Sequence, residues 1–223
     1  MSTLGAALAI FRKDLAAERR GKELVITMLV FGLQVILVYV FAFELNAGIR
    51  DKAVPGVLWA TILFAGTLGL SRSMAMEREQ GCLDALMLLP GDRSAIFFGK
   101  AMANWAFLLV VCAILLPVYS FFSGTNLVRF DLIGVVLLGT FGYVFIGTLL
   151  STLTVRIRSR EMLLPVLLFP VLIPLVLACL RGTTLLLNAA GGGELQTWLS
   201  ILAAYDLMVL AAGWLIFDAV IED

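Results

Sequence analysis

Long apolar stretches separated by short polar segments dominate the pattern of hydrophobic and polar positions along the chain. A helix that crosses the hydrocarbon core of a bilayer needs about 20 mostly apolar residues. The short alternating segments of a membrane barrel do not occur, so each stretch predicts a helix. Six stretches are long enough to span: approximately 24–43, 54–71, 101–122, 132–155, 162–180 and 198–217. The pattern predicts an all-α membrane protein whose residues 1–223 form a single transmembrane domain.

The segment before the first span, 1–22, has an amphipathic pattern. Its apolar positions recur at helical spacing and lie opposite a basic face; they are Leu4, Leu8, Phe11 and Leu15. We expect an N-terminal amphipathic interfacial helix that lies on anionic lipid headgroups and ends near Gly21. The pattern does not decide between a simple membrane anchor and a helix with a mechanical role.

Composition supports a membrane protein. Of 223 residues, 61% are hydrophobic and 14% are charged, whereas a soluble domain carries roughly 25% charged residues. The solvent for most of this chain must therefore be lipid. The basic residues are split into short clusters between the spans, which argues against a nucleic-acid partner.

The orientation follows from Lys and Arg in the short loops, because cytoplasmic loops carry an excess of these residues. Four lie on one side: Arg50, Lys52, Arg129 and Arg181. Twelve lie on the other: Arg12, Lys13, Arg19, Arg20, Lys22, Arg72, Arg78, Arg93, Lys100, Arg156, Arg158 and Arg160. The bias predicts that both termini and the loop 72–100 are cytoplasmic.

Motifs for catalysis are missing from the sequence. No P-loop is present, because Gly99-Lys100-Ala101 has the wrong flanking residues. Histidine is absent, and the three cysteines (Cys82, Cys112 and Cys179) form no metal-binding pair. We therefore expect a chain that is not an enzyme, holds no metal and binds no cofactor tightly. Energy for transport would come from a partner or from an ion gradient.

The loop 72–100 contains a short apolar helix that is too short to span. Leu83, Leu86 and Met87 form its apolar face, and Pro90 ends it. Such a face must be buried in the membrane interface, against the same bundle, or in the groove of a partner.

Three segments together resemble one family. The first runs from Glu79-Gln-Gly-Cys-Leu-Asp84 through Leu89-Pro90 to Arg93 and Lys100, the second is the proline-spaced 160–174, and the third is Ala53-Val-Pro55-Gly56-Val-Leu-Trp59. They are similar to the cytoplasmic loop, the fifth span and the start of the second span of the CcmB family, haem exporter protein B. Length, six spans and inside termini agree with this family, although the acidic last span matches only one of its branches.

The resemblance implies a permease subunit of an ABC-2-type transporter in the bacterial inner membrane. Its partners would be a separate cytoplasmic ATPase that binds ATP, a second copy of the chain, and the haem-handling membrane subunits and haem chaperone of cytochrome c maturation. The complex would export haem or release the haem-loaded chaperone. A short cytoplasmic coupling helix in the loop would dock the ATPase through Glu79, Leu83, Asp84, Leu86, Met87, Pro90 and Arg93.

Several residues inside the spans are candidates for function or specific packing. Asp206 lies in the last span, where a charge is costly, so we expect it to face neighbouring helices, toward the small-residue fourth span. Protonation or a Ser or Thr donor would stabilise it. We expect kinks in the fifth span at Pro165, Pro170 and Pro174. Asn104 should bond across helices, and four tryptophans are predicted interface anchors: Trp59, Trp105, Trp198 and Trp214.

Two other functions fit parts of the same pattern. One is a small ABC-2 exporter of another lipid or drug substrate, with the same architecture and no link to haem. The other is a secondary transporter that uses Asp206 as a proton or ion site. The second alternative lacks paired charges within the spans and an evident inverted repeat.

Overall fold

A computed structural model describes residues 3–43, 47–79, 94–154, 160–188 and 192–220, with side chains placed for 5–43, 48–73, 95–151, 166–188 and 192–215. Every regular element in these residues is an α-helix, and no strand occurs among them. The helices are α1 (Thr3–Gly21), α2 (Glu23–Ala42), α3 (Ala47–Glu79), α4 (Ser94–Ser123), α5 (Phe130–Thr154), α6 (Arg160–Leu187) and α7 (Gly193–Val220).

Six of these helices are long and apolar enough to cross a membrane, which confirms the predicted multi-pass architecture for the described part of the chain. The first span was predicted within one residue of Glu23–Ala42. The second was predicted too short: its apolar helix is Gly48–Ser73, within an α3 that continues to Glu79. Hydropathy detects the part of a helix that lies in lipid, whereas a polar extension carries no comparable signal.

Polar contacts define the two ends of the bundle. At the end that holds α1, Glu23 bonds to Arg72, which joins the start of α2 to the last turns of α3. At the opposite end, the Tyr39 hydroxyl donates to the carbonyl of Arg50, and Arg129 Nη1 donates to the Leu186 carbonyl at 3.4 Å. The two ends are called here the α1 end and the opposite end. Because successive spans alternate in direction, α7 returns to the α1 end.

Small residues on α5 allow the bundle to close around it. A side chain at Gly139 would collide with Cys179 of α6 and Trp59 of α3, and one at Gly147 would collide with Leu70 of α3. The small residues of α5, which is the fourth span, therefore let α3 and α6 pack closely against it. Gly134, near the start of the same helix, has open space around it instead.

Helix α1 ends at Gly21 as predicted, and Lys22 takes a left-handed conformation with φ 56° before α2 begins. Two residues of its predicted apolar face, Phe11 and Leu15, are partly buried against the core, whereas Leu8 is 48% exposed. Ile10, which lies outside the predicted stripe, is buried. The helix also turns a face containing Ile10 and Asp14 toward α4, where Asp14 pairs with a lysine.

Interhelical hydrogen bonds hold the spans together within the membrane. The predicted bond of Asn104 is confirmed, since its Nδ2 donates to Thr148 Oγ1 at 3.2 Å. The prediction for Trp59 is wrong: this tryptophan is 1% exposed and its Nε1 donates to Thr183 Oγ1 at 3.0 Å. Because its span already begins at Gly48, Trp59 lies near the middle of the helix and not at the interface.

Candidate functional site

The predicted docking segment connects two long helices at the α1 end. Helix α3 ends at Glu79 and α4 begins at Ser94. A partner that moved the segment between them would therefore act first on these two helices. The side chains assigned to ATPase docking lie outside the described ones and stay predictions: Glu79, Leu83, Asp84, Leu86, Met87, Pro90 and Arg93.

Helix α1 packs directly on the first turns of α4. Gly99 makes this possible, because a side chain there would lie 2.6 Å from the Ala7 carbonyl and 2.9 Å from Ile10 Cβ. Beside it, Lys100 Nζ lies 3.7 Å from Asp14 Oδ2, and Lys13 Nζ lies 3.2 Å from Asp14 Oδ1. Lys100 is only 4% exposed. A nearly buried charge pair therefore fastens α1 to the helix that follows the predicted docking segment.

A second acidic residue of α1 fixes the start of α2. The backbone N–H of Val25 donates to Glu18 Oε1 at 2.9 Å. This carboxylate satisfies one of the amides that have no partner within the first turn of α2, and its negative charge favours the positive end of the helix dipole. Helix α1 thus bridges the starts of two spans.

Helix α4 is the element through which movement at the α1 end would spread. It runs without interruption from Ser94 to Ser123 and packs against α1, α2, α3, α5 and α7. Since it is one continuous helix, displacement of its first turns would be transmitted to each of these neighbours. This position makes the α1–α4 contact a candidate coupling site.

Asp206 lies in the bundle interior, at the meeting of α5, α6 and α7. It is 6% exposed, and one carboxylate oxygen occupies the space that a side chain at Gly142 would fill. The residue therefore faces the small-residue fourth span. Its neighbour on that span is a glycine and not the expected Ser or Thr donor.

The prolines of α6 have different surroundings. The helix continues through Pro170 and Pro174, both exposed, and the side chain of Pro165 is outside the described ones. Pro170 lines an apolar groove of about 510 Å³ between α3 and α6, together with Gly56, Phe64 and other apolar residues. The kinks expected from these residues stay a prediction.

Comparison with known proteins identifies the family of this fold. The family model of the CcmB protein matches residues 5–222. The chain belongs to the CcmB family. CcmB proteins are ABC-2-type permeases, so both the resemblance and the fold class predicted from the sequence are confirmed.

Three curated relatives in the CcmB family match over most of their length. The heme exporter protein B of Paracoccus denitrificans is 28% identical over 204 residues, which cover 91% of this chain and 92% of the relative. That of Rhodobacter capsulatus is 28% identical over 184 residues, covering 82% and 83%. That of Pseudomonas aeruginosa is 24% identical over 213 residues, covering 93% and 95%.

Sequence reasoning missed the α1–α4 contact in this CcmB chain. Three of its residues, Asp14, Gly99 and Lys100, were visible only as parts of other patterns. The available signal was the pair of acidic residues, Asp14 and Glu18, within the basic amphipathic segment. The partner of Asp14 on α4 lies far along the sequence, and nothing in the spacing pairs the two.

Proposed function

We propose that this chain is the membrane permease subunit of an ATP-driven complex that handles haem during cytochrome c maturation. The family match over residues 5–222 carries the proposal, together with relatives named heme exporter protein B. ATP would bind to a separate cytoplasmic subunit, and a second copy of this chain would complete the membrane part. The complex would export haem or release a haem-loaded chaperone, with the haem-handling membrane subunits as further partners.

The arrangement at the α1 end supports an ATPase that acts on this end. The segment between Glu79 and Ser94 leads into α4, and α1 clasps the first turns of that helix through Gly99 and the Asp14–Lys100 pair. A partner that moved the docking segment would therefore move α1 and α4 together. This favours a mechanical role for α1 over a simple anchor.

The positions of the basic residues support one orientation of the chain in the membrane. Arg72 and Lys100 lie at the α1 end, whereas Arg50 and Arg129 lie at the opposite end. The excess of basic residues belongs to the α1 end, so this end faces the cytoplasm of a bacterial inner membrane. Single cysteines at the exposed positions Asn126 and Asn188 should react with an impermeant maleimide in intact cells, and those at Asp92 and Ser159 should not. Reversed labelling would contradict the orientation.

The docking role predicts a specific failure of assembly. Changing both Leu83 and Leu86 to Asp places two charges on the apolar face that we assign to the ATPase groove. Loss of desolvated apolar anchors typically costs roughly 1–3 kcal/mol each, so the ATPase should no longer co-purify. The matched control changes Ala85 and Leu88 to Asp, because helical spacing places them on the other side of the same segment.

The control should retain the ATPase at the wild-type level, and both variants should insert into the membrane normally. If the Leu83 and Leu86 variant keeps its ATPase, docking at this face is wrong. The link to haem is tested separately by c-type cytochromes with covalently attached haem. Cells without this chain should lose them, whereas full maturation in its absence would favour an exporter of another substrate.

A further inference from the structure

The carboxyl group of Asp206 is enclosed by three spans. It lies near the middle of the span Gly193–Leu215, and its neighbour Gly142 lies near the middle of Phe130–Ser151. A side chain on Gly142 would also lie 3.1 Å from Leu175 Cδ1 of α6 and 3.1 Å from Tyr205 Cδ1 of α7. Because Gly142 has no side chain, α5 leaves a space that the Asp206 carboxyl group fills.

No described side chain offers the Asp206 carboxyl group a hydrogen-bond donor or a positive charge. Neither carboxylate oxygen has a hydrogen-bond donor among the described residues, and none of their Lys or Arg side chains forms an ion pair with it. The backbone amide of Gly142 lies beside the carboxyl group but does not form a well-aligned hydrogen bond with it. The contact is close, but the amide of a residue inside a helix is already committed to its own helix.

The titratable groups around Asp206 are few. Cys179 of α6 and Tyr205 of α7 are close enough to interact with it electrostatically. The Tyr205 hydroxyl donates to the Val171 carbonyl at 3.2 Å. On α5, Tyr143 turns toward α3, where its hydroxyl donates to the Leu63 carbonyl at 2.9 Å. None of these groups supplies a positive charge.

We propose that Asp206 is a proton-binding site whose carboxyl group is protonated when α5, α6 and α7 pack closely around it. The contact of these three helices at Gly142 and Asp206 is called here the seam. An unpaired carboxylate in an apolar interior is far less stable than the neutral acid, and such groups take up a proton. The carboxylate form requires water or a cation to enter the seam. Proton binding is therefore linked to closure of α6 and α7 on Gly142.

Infrared spectroscopy of the full chain in lipid at neutral pH tests the protonation state. The difference spectrum between wild type and Asp206→Asn should contain the carbonyl stretching band of a protonated carboxyl group, shifted in heavy water. Asp14→Asn should leave this band unchanged, because Asp14 is paired with lysines. Labelling the wild-type chain with ¹³C-carboxyl aspartate should shift the same band, which assigns it to an aspartate without any substitution. A difference spectrum with carboxylate bands alone would overturn the proposal.

Cys179 supplies an independent measurement of water access to the seam. The thiol is fully buried at the contact with Gly139, one turn from Gly142 on the same helix. In a chain with Cys82 and Cys112 changed to Ser, Cys179 should resist an impermeant maleimide until the chain is denatured. Rapid reaction in the folded chain would mean that water reaches this region. Asp206 would then be a solvated carboxylate, which contradicts a sealed proton site.

Discussion

Two acids that are largely withdrawn from the surface, Asp14 and Asp206, differ in the charged groups around them. The Asp14 side chain is 14% exposed and has the ammonium groups of Lys13 and Lys100 within 3.2 and 3.7 Å. Asp206 is 6% exposed and has no donor or cation among the described residues. Both acids fasten one helix to another: Asp14 joins α1 to α4, and Asp206 of α7 fills a gap in α5.

The difference follows from the position of each acid along the membrane normal. At the α1 end, long basic side chains from α1 and from the first turns of α4 reach the acid, so a charged pair can form. In the middle of the spans no cation is available, and an isolated charge is costly there. The same side-chain type therefore fixes the structure as an ion at one place and as a neutral group at the other.

The largest effect is expected when the pair at the α1 end is broken. Lys100→Met keeps most of the side-chain volume but removes the buried partner of Asp14 and leaves this partly buried carboxylate beside Lys13. Removal of one partner of a buried pair costs about 3–5 kcal/mol. Because Lys13 stays in place, we expect about 2–3 kcal/mol, measured as the unfolding free energy in detergent micelles.

The matched control for this prediction is Lys52→Met, which removes an exposed lysine of α3. It should change stability by less than about 0.5 kcal/mol. The double variant Asp14→Asn with Lys100→Met should be more stable than Lys100→Met alone, because no unpaired charge is left. Additive losses in the double variant would mean that the two residues do not act as a pair.

A smaller effect is expected where Asp206 meets α5. Gly142→Ala places a methyl group against the Asp206 carboxyl group, with Leu175 and Tyr205 also in close contact. Overpacking of this kind costs about 1–3 kcal/mol. Gly134→Ala on the same helix meets open space and should not destabilise the chain. In the double variant, Asp206→Ala should restore part of the unfolding free energy that Gly142→Ala removes. If Gly142→Ala costs the same with and without the Asp206 side chain, their contact is not the cause of the loss.

The smallest effect is expected for a neutral polar contact in the middle of the bundle. Thr183→Val removes the acceptor of the hydrogen bond from Trp59, which joins α3 to α6, and keeps the side-chain volume. Interhelical hydrogen bonds in membranes contribute about 0.6 kcal/mol on average, so we expect a loss near that value in the same unfolding assay. Thr197→Val, at an exposed residue whose hydroxyl bonds within its own helix, is the control and should have no measurable effect. Equal losses would mean that the change of residue type, and not the interhelical hydrogen bond, is responsible.

Hydropathy predicted the helices but not their polar extensions. The first span was placed within one residue at each end because its apolar run ends abruptly at both sides. The start of α3 was missed because Gly48 to Lys52 combine polar and apolar residues in a helix that continues into a clear span. The interface role predicted for Trp59 failed for the same reason, since it depended on where that span began.

A candidate site could be predicted from the sequence only where a single residue differs clearly from the residues around it. Asp206 is evident as a single acid in an apolar span, and small residues on the fourth span indicated where it would pack. The contact of Asp14 with Lys100 joins two residues of ordinary type that are far apart in sequence. Periodicity identified Phe11 and Leu15, which pack against the core, but it cannot detect a distant lysine or the burial of Ile10 against Gly99.

Side-by-side measurement of Asp14→Asn and Asp206→Asn tests most directly the claim that one acid acts as an ion and the other as a neutral group. Each substitution removes the possibility of negative charge and keeps size and hydrogen bonding. Asp14→Asn should lower the unfolding free energy by about 1–2 kcal/mol, because the anion facing Lys100 is lost. Asp206→Asn should change it by less than about 0.5 kcal/mol, because amide and carboxylic acid are both neutral. A loss for Asp206→Asn equal to or greater than that for Asp14→Asn would contradict the account.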